Sequence, residues 1–438
     1  MPTSKEPMSA ENFMSTMLSE AITDQASDIH IEPLSEQMRI RFRVDGILIE
    51  KWRRPLYELE PLSNRIKVLS NFDISMRGVP QDGHFLTTVY TKKALPAAAP
   101  LPSAEGTEKK NPPSVPPPPP AHFWSRAAKN EIKNQPIAET DAHELSLRVS
   151  LFPNLDGEAI VLRLLNRENM LLPINALGMD DATQSRFRKL IAKDYGMVLI
   201  TGPAGSGKTT SLYSLLETLR TKEKNIITLE DPVEVRLEDI RQSQVYTDHG
   251  LTFASGMRSI LRQDPDIIMV GEIRDPETAE NAMRASLTGR IVLSTIHANT
   301  TIGTIPRLID MNVERSLIAY SLNGIVAQRL VRKICPDCRI NYTPHQEFLT
   351  YFNLDPTQHT FIKGNGCDMC RHTGFKGRTG LFEVLYFDDT VQTLIIEKAP
   401  MKALEDYIAQ SGMKTLKQDA LEKALAGVTT LEEAGRIV

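Results

Sequence analysis

Residues 201–210 read TGPAGSGKTT and follow the apolar run Met197-Val198-Leu199-Ile200. The segment Gly202-Pro203-Ala204-Gly205-Ser206-Gly207-Lys208-Thr209-Thr210 fits the phosphate-binding pattern G-x4-G-K-[ST]. Such a loop turns several backbone N–H groups toward one point, where a phosphate chain binds. Gly205 and Gly207 let the backbone approach without a Cβ in the way. Lys208 then reaches the β- and γ-phosphates, and the Thr209 hydroxyl holds Mg²⁺. The chemistry implied is binding and hydrolysis of a nucleoside triphosphate. The plain alternative is a Gly/Ser surface loop, and the apolar strand before it argues against that.

Two acidic segments follow apolar runs. Ile226-Ile227-Thr228-Leu229 leads into Glu230-Asp231-Pro232-Val233-Glu234, and Asp266-Ile267-Ile268-Met269-Val270 leads into Gly271-Glu272. Open α/β sheets bind ligands at the carboxyl ends of their strands. Three such ends bring the loop and both acidic groups to one crevice. Phosphoryl transfer needs that set: donors for the phosphates, an acid near the metal and a carboxylate to position water. Alone, each acidic cluster also reads as a helix cap or a solvated turn.

Cys335-Pro-Asp-Cys338 and Cys367-Asp-Met-Cys370 give C-x2-C-x28-C-x2-C. Paired knuckles of this kind suit a tetrahedral Zn²⁺ site, and four thiolates leave no open position for catalysis. Four free thiols are the alternative.

These groups need elements to hold them. Residues 9–26 show helical periodicity through Phe13, Met14, Met17, Leu18, Ala21 and Ile22. Asp28–Glu32 and Met38–Val44 alternate as strands, and Asp45-Gly46 turns into Ile47-Leu48-Ile49. Residues 94–120 are proline-rich, ending in Pro116 to Pro120, and cannot build a core. Strand character returns at Glu144–Val149 and Ala159–Leu164. We therefore place a disordered proline/alanine-rich insertion, 94–142, in a hairpin of a small α+β domain spanning 1–165. A linker, 166–177, follows. From 178 onward helices and apolar strands alternate, which predicts a parallel sheet with helices on both faces. That second domain runs over 178–438. It includes a tetracysteine zinc-binding lobe, 334–378, and C-terminal helices, 390–438.

The bulk numbers fit this plan. A chain of 438 residues holds two or three domains, and 41% hydrophobic residues is ordinary for a globular protein. A net charge of -4 gives no support for a nucleic-acid-binding surface. No stretch approaches a membrane span, and the N-terminus has no signal pattern. Those two features predict a cytoplasmic protein.

The motifs together resemble the secretion and pilus-assembly ATPases, the motors of type II secretion, type IV pili and competence pili. The resemblance rests on ITLEDPVE (227–234), GLTFASGMRSILRQDPDIIMVGEIRDPETAE (250–280) and STIHANT (294–300). In the first domain it rests on SDIHIEP (27–33), RFRVDG (41–46), RIK (65–67) and PQDGHF (80–85). It implies a RecA-like P-loop ATPase domain preceded by a PAS-like domain. It also implies a homo-hexameric ring with nucleotide between domains and subunits. By motif, Glu234 is the catalytic base with Glu230 second, Glu272 is the acid near Mg²⁺, and His297 senses the γ-phosphate. Asp266 ranks below Glu272 for the metal. Charge on the transferred phosphate is met by arginines, in the order Arg43, Arg258, Arg262, Arg41, Arg65. ATP, Mg²⁺ and Zn²⁺ are the implied ligands, and an inner-membrane platform protein is the implied partner. Direct nucleic-acid contact is not implied, and membrane association comes only through partners.

Three positions depart from many relatives: Arg290, His84 and Thr300. The membrane-docking N-terminal domain of larger relatives is expected to be missing, since the ATPase signature begins near residue 1. The cysteine lobe points to pilus extension or secretion, because retraction motors generally lack it. A RecA-like nucleic-acid motor, a retraction ATPase and a regulatory nucleotide-binding scaffold stay as alternatives.

Overall fold

The computed structural model describes residues 9–76, 78–92, 140–165 and 170–438. The chain divides into two compact units. One holds the residues up to Val44 together with Leu48–Leu164, and the other holds Asp45–Ile47 with Leu165–Val438.

In the first unit the helix Ala10–Thr23 begins at Ser9, whose Oγ accepts from the Asn12 N–H. Six strands form one sheet: β1 (Asp28–Pro33), β2 (Gln37–Val44), β3 (Ile47–Pro55), β4 (Gln81–Lys92), β5 (Thr140–Asn154) and β6 (Gly157–Leu165). Their order is β3-β2-β1-β6-β5-β4. Strict alternation along β2 buries Met38, Ile40, Phe42 and Val44. It therefore turns Arg39, Arg41 and Arg43 to the opposite face. The buried face packs with Phe13, Met17, Leu62 and Ile66, the last two from the helix Leu59–Leu69.

Strands β4 and β5 pair antiparallel from Gln81↔Leu151 to Lys92↔Thr140. Residues 93–139 thus connect the two arms of one hairpin. The expected disorder of 94–139 falls outside the described residues. Residues 140–142, expected to be part of the insertion, belong instead to β5, because Thr91 and Tyr90 of β4 pair with Asp141 and Ala142.

The second unit is built on β7 (Gly196–Thr201), β8 (Ile226–Glu230), β9 (Arg241–Gln244), β10 (Ile267–Val270), β11 (Ile291–Ile296), β12 (Leu322–Ile334) and β15 (Phe375–Tyr386). Their order is β15-β12-β7-β11-β10-β8-β9. The neighbouring pairs from β12 to β9 are parallel, and β15 runs antiparallel to β12. Strand β7 is buried along its whole length, as strands covered on both faces are. Met197 and Leu199 enter one core with the helices Phe253–Ile260, Pro276–Ser286 and Thr301–Asp310. Val198 and Ile200 enter another with Asp181–Leu190 and Lys208–Leu219. Two cores, one on each side of the sheet, are what helices on both faces require. Ile174 and Leu177, expected in a linker, are buried in the second of these cores because both are apolar and pack with Phe187 and Leu212. Residues 166–169 of that linker are outside the described set.

The short strands β13 (Arg339–Tyr342) and β14 (Phe361–Gly364) pair beside the cysteine turns Pro336–Cys338 and Asp368–Cys370. Helices Asp389–Ile396, Met401–Gln410, Leu416–Leu425 and Leu431–Ile437 end the chain. Asp388, Thr415 and Thr430 cap three of them. Among the described residues no helix is long and apolar enough to cross a membrane.

Candidate functional site

Strand β7 ends at Thr201 and the helix Lys208–Leu219 follows, with Gly202–Gly207 forming the turn. Gly207 is the N-cap residue at φ 88°, and a Cβ there would lie 2.7 Å from Gln328 Nε2. A Cβ on Gly202 would lie 2.5 Å from the Gln328 carbonyl oxygen and 2.6 Å from Ser206 Oγ. The loop is glycine at these points because β12 lies against it. Gln328 Oε1 also accepts from Ser211 Oγ at 2.8 Å, fixing the helix to the same strand. Pro203, Ala204 and Gly205 are exposed, Ser206 is buried, and Thr209 and Thr210 are half-buried.

The Lys208 ammonium donates to the carbonyls of Gly202 (2.8 Å) and Pro203 (3.0 Å). Burial pushes it below the ordinary lysine range; the Glu272 carboxylate opposes that shift and the Arg329 guanidinium adds to it. A cation so placed is stabilised by an anion entering the loop.

Glu272 stands just past the end of β10 and His297 just past the end of β11. His297 Nε2 is 3.5 Å from Glu272 Oε2. Arg274 pairs with Glu272 and, at 3.3 Å, with Asp231. The His297 loop is tied to β7: Thr201 Oγ1 donates to the Ala298 carbonyl (2.9 Å) and accepts from the Ala298 N–H (2.8 Å). Lys208, Glu272 and His297 therefore share the carboxyl end of three adjacent parallel strands. Asp266 precedes β10 at the other end of the sheet, where it accepts from the Asn225 N–H.

Glu230 and Glu234 have different surroundings. Glu230 is 3% exposed, and its carboxylate accepts from Tyr213 Oη (2.6 Å), Thr228 Oγ1 (2.6 Å) and Gln242 Nε2 (3.0 Å). Burial raises its pKa, against those three donors. Gln242 also donates to the Val235 carbonyl and accepts from the Leu237 N–H. Glu230 thus anchors the loop that carries Glu234, and Glu234 is half-buried. Tyr213→Phe leaves this buried carboxylate one donor short. We expect a loss of about 1–3 kcal/mol, read as a lower denaturant midpoint; an unchanged midpoint contradicts the anchoring role.

The arginines divide between the units. Arg258 and Arg262 are exposed on the helix and turn after Thr252; Arg258 pairs with Glu277, and Arg262 donates to the Arg258 carbonyl. Arg43, Arg41 and Arg65 stand in the first unit. There Arg43 lies 3.7 Å from Asp28, Arg41 pairs with Glu32, and Arg65 lies 3.0 Å from Glu11. Motif and spacing assign no role to Gln328, Arg329 or Arg274. Arg274 falls within the segment 250–280 that carries the resemblance, whereas Gln328 and Arg329 reach the loop only through the β7–β12 pairing.

The four cysteine sulfurs lie within 4.8 Å of one another. Cys335–Cys367 and Cys338–Cys370 are 3.8 Å apart, and Cys367–Cys370 3.7 Å. A tetrahedron with metal–sulfur bonds of about 2.3 Å has edges of about 3.8 Å. The Gly366 N–H donates to Cys338 Sγ, and those of Cys367 and Gly374 donate to Cys370 Sγ. Such donors stabilise thiolates. The cluster fits a four-sulfur metal site.

The family model "Type II/IV secretion system protein" matches residues 3–109 and 134–436. The chain is 38% identical over 426 residues to the type II secretion system ATPase E of Vibrio cholerae, covering 97% of this chain and 74% of that one. It is 38% identical over 425 residues to the type IV pilus assembly ATPase PilB of Myxococcus xanthus, covering 96% of this chain and 66% of that one. The X-ray structure of the Legionella pneumophila ATPase DotB matches the fold with a TM-score of 0.64, at 23% identity over 100% of this chain and 97% of that one. The pilus retraction motor PilT with bound ADP matches at 0.58, with 24% identity over 97% and 96% of the two chains. The phosphate loop and its acidic neighbours thus sit in a member of the type II/IV secretion system protein family, and the chain is an ATPase of that family.

Proposed function

We propose that this chain is the hexameric cytoplasmic ATPase that powers assembly of a type II secretion pseudopilus or a type IV or competence pilus. It works at the inner face of the cell membrane through an inner-membrane platform protein. The observation that carries this reading is the meeting of Lys208, Glu272 and His297 at the ends of adjacent strands beside the glycine turn. The names of the relatives supply the machine. In this reading the second unit is RecA-like and the first PAS-like.

In this reading each candidate residue takes one role. The backbone N–H groups of Gly205–Thr210 cradle the phosphates, Lys208 leaves its two carbonyls for the β/γ bridge, and Thr209 and Glu272 would hold Mg²⁺. Mg²⁺ held there would supply positive charge against the charge that develops on the phosphates. Glu234 positions the attacking water, a role we give it over Glu230 because the Glu230 carboxylate already accepts three hydrogen bonds. His297 reports the γ-phosphate to Glu272. Arg258, Arg262 and Arg43 meet the developing charge in the assembled ring. Cys335, Cys338, Cys367 and Cys370 would hold Zn²⁺, which would tie the lobe together.

The test is ATP turnover against protein concentration, with light scattering for mass, for wild type and Glu234→Gln. Turnover per chain should rise with assembly, and the variant should bind ATP and form rings without hydrolysing it. A monomer at full rate sinks the ring; an active variant sinks the base.

A further inference from the structure

Strand β12 brings a second cation to the phosphate loop, just past the part of it that pairs with β7. Arg329 follows Gln328, and Ala327 pairs with Thr201, the last residue of β7. Its guanidinium therefore emerges beside Gly202. A Cβ placed on Gly202 would lie 3.2 Å from Arg329 Nη1. Arg329 donates to the Gln328 carbonyl at 3.0 Å and to the Asn299 carbonyl at 2.8 Å, with Asn299 Oδ1 at 3.4 Å.

All of these partners are neutral oxygens. Lys208 is held in the same manner, by the carbonyls of Gly202 and Pro203. Among the described residues neither cation has a carboxylate within ion-pair distance. Glu383 is the acid whose charge Arg329 feels. Its carboxylate accepts from the Thr301 N–H and Oγ1 and the Leu416 N–H. Burial is the main influence on Arg329 and lowers its pKa, and the Arg329 charge is felt at Lys208. Two partly desolvated cations beside one glycine, both resting on carbonyls, carry an electrostatic cost that an anion bound near both removes. A planar guanidinium also offers donors in a fork that fits phosphate oxygens.

We infer that Arg329 is a phosphate ligand supplied by the same chain as the phosphate loop, taking a phosphate oxygen of the bound nucleoside triphosphate. It leaves the Asn299 carbonyl to do so. Asn299 lies two residues past His297, so release of that bond is felt in the loop carrying the histidine. Arg329 differs from the three proposed ring arginines in needing no second subunit. This inference rests on nucleotide binding at Gly202–Thr210.

The experiment measures equilibrium binding of a non-hydrolysable ATP analogue with Mg²⁺ to wild type, Arg329→Gln and Lys208→Ala. Loss of a charge-assisted contact predicts about 10–100-fold weaker binding for Arg329→Gln, with the melting temperature kept. Unchanged affinity with reduced turnover assigns Arg329 to bracing Asn299 and overturns the inference. If Lys208→Ala binds like wild type, the phosphate-loop reading itself fails. Should Arg329→Gln not fold, a crystal structure of wild type with the analogue decides. An Arg329 nitrogen on a phosphate oxygen supports the inference; an Arg329 still on Gln328 and Asn299 overturns it.

Discussion

Glu272→Gln is expected to stop ATP turnover while nucleotide binding persists. The substitution keeps the side chain's size and its place after β10 but removes the charge. Arg274 then loses one of its two acidic partners, keeping Asp231. His297 Nε2, 3.5 Å away, loses the anion it faces. The Lys208 ammonium loses the one carboxylate that offsets its burial. In the proposed reading Glu272 is an electrostatic group beside Mg²⁺, and removal of one preorganised electrostatic group costs roughly 10²–10³-fold in kcat. Single-turnover hydrolysis should therefore fall by roughly that factor. Binding of a non-hydrolysable analogue should hold, because the backbone donors of the loop are untouched. Near-normal hydrolysis by Glu272→Gln would remove Glu272 from the reaction and return attention to Glu234.

Removing the metal is expected to have the largest structural effect. Near the cysteine turns the lobe has little packing: Arg339, Ile340 and Asn341 on β13 are exposed, and the lobe's core residues Leu349, Phe352 and Phe361 pack with the C-terminal helices. A two-stranded sheet alone is marginal in water. Structural Zn²⁺ contributes roughly 10–16 kcal/mol of apparent binding energy at neutral pH, far more than strands this short supply. Cys370→Ser, or a strong chelator, should release the metal and expose the lobe between β12 and β15 to hydrogen exchange. The sheet carrying the phosphate loop should stay protected, because its two cores draw on none of the cysteines. Metal analysis and exchange by segment read both. Protein purified without metal and with a protected lobe would overturn the proposal. Acid should weaken the site, since the cysteine thiols must lose their protons to bind.

The parts of the fold legible in the chain are those written locally. An apolar run, a glycine turn and a helix start are contiguous in residues 197–210, so the order of residues alone announces β7 and the helix Lys208–Leu219. The alternation of β2 and the turn at Asp45-Gly46 are legible for the same reason. What stays hidden depends on pairing across long sequence separations. Gln328 reaches Ser211 only because β12 pairs with β7. Glu230 and Glu234 look alike in a string of acidic residues; the difference lies in Tyr213 and Gln242, which come from other elements. Arg329 stands in an ordinary strand pattern with no flanking motif. A sequence can rank residues by type, but burial and partners tell two like residues apart.

The closed register of the β4–β5 hairpin separates the length of this chain from its stability. Lys92 and Thr140 are cross-strand neighbours, about 5 Å apart as any such pair is. The ladder below them already holds the two ends together. Doubling the length of a connection between such ends adds only about 0.6 kcal/mol of closure entropy, so homologues can differ freely at this point without retuning the core. For the experimenter it is a natural port. A fluorophore, an affinity tag or an entire reporter domain grafted there leaves the catalytic unit's sequence untouched.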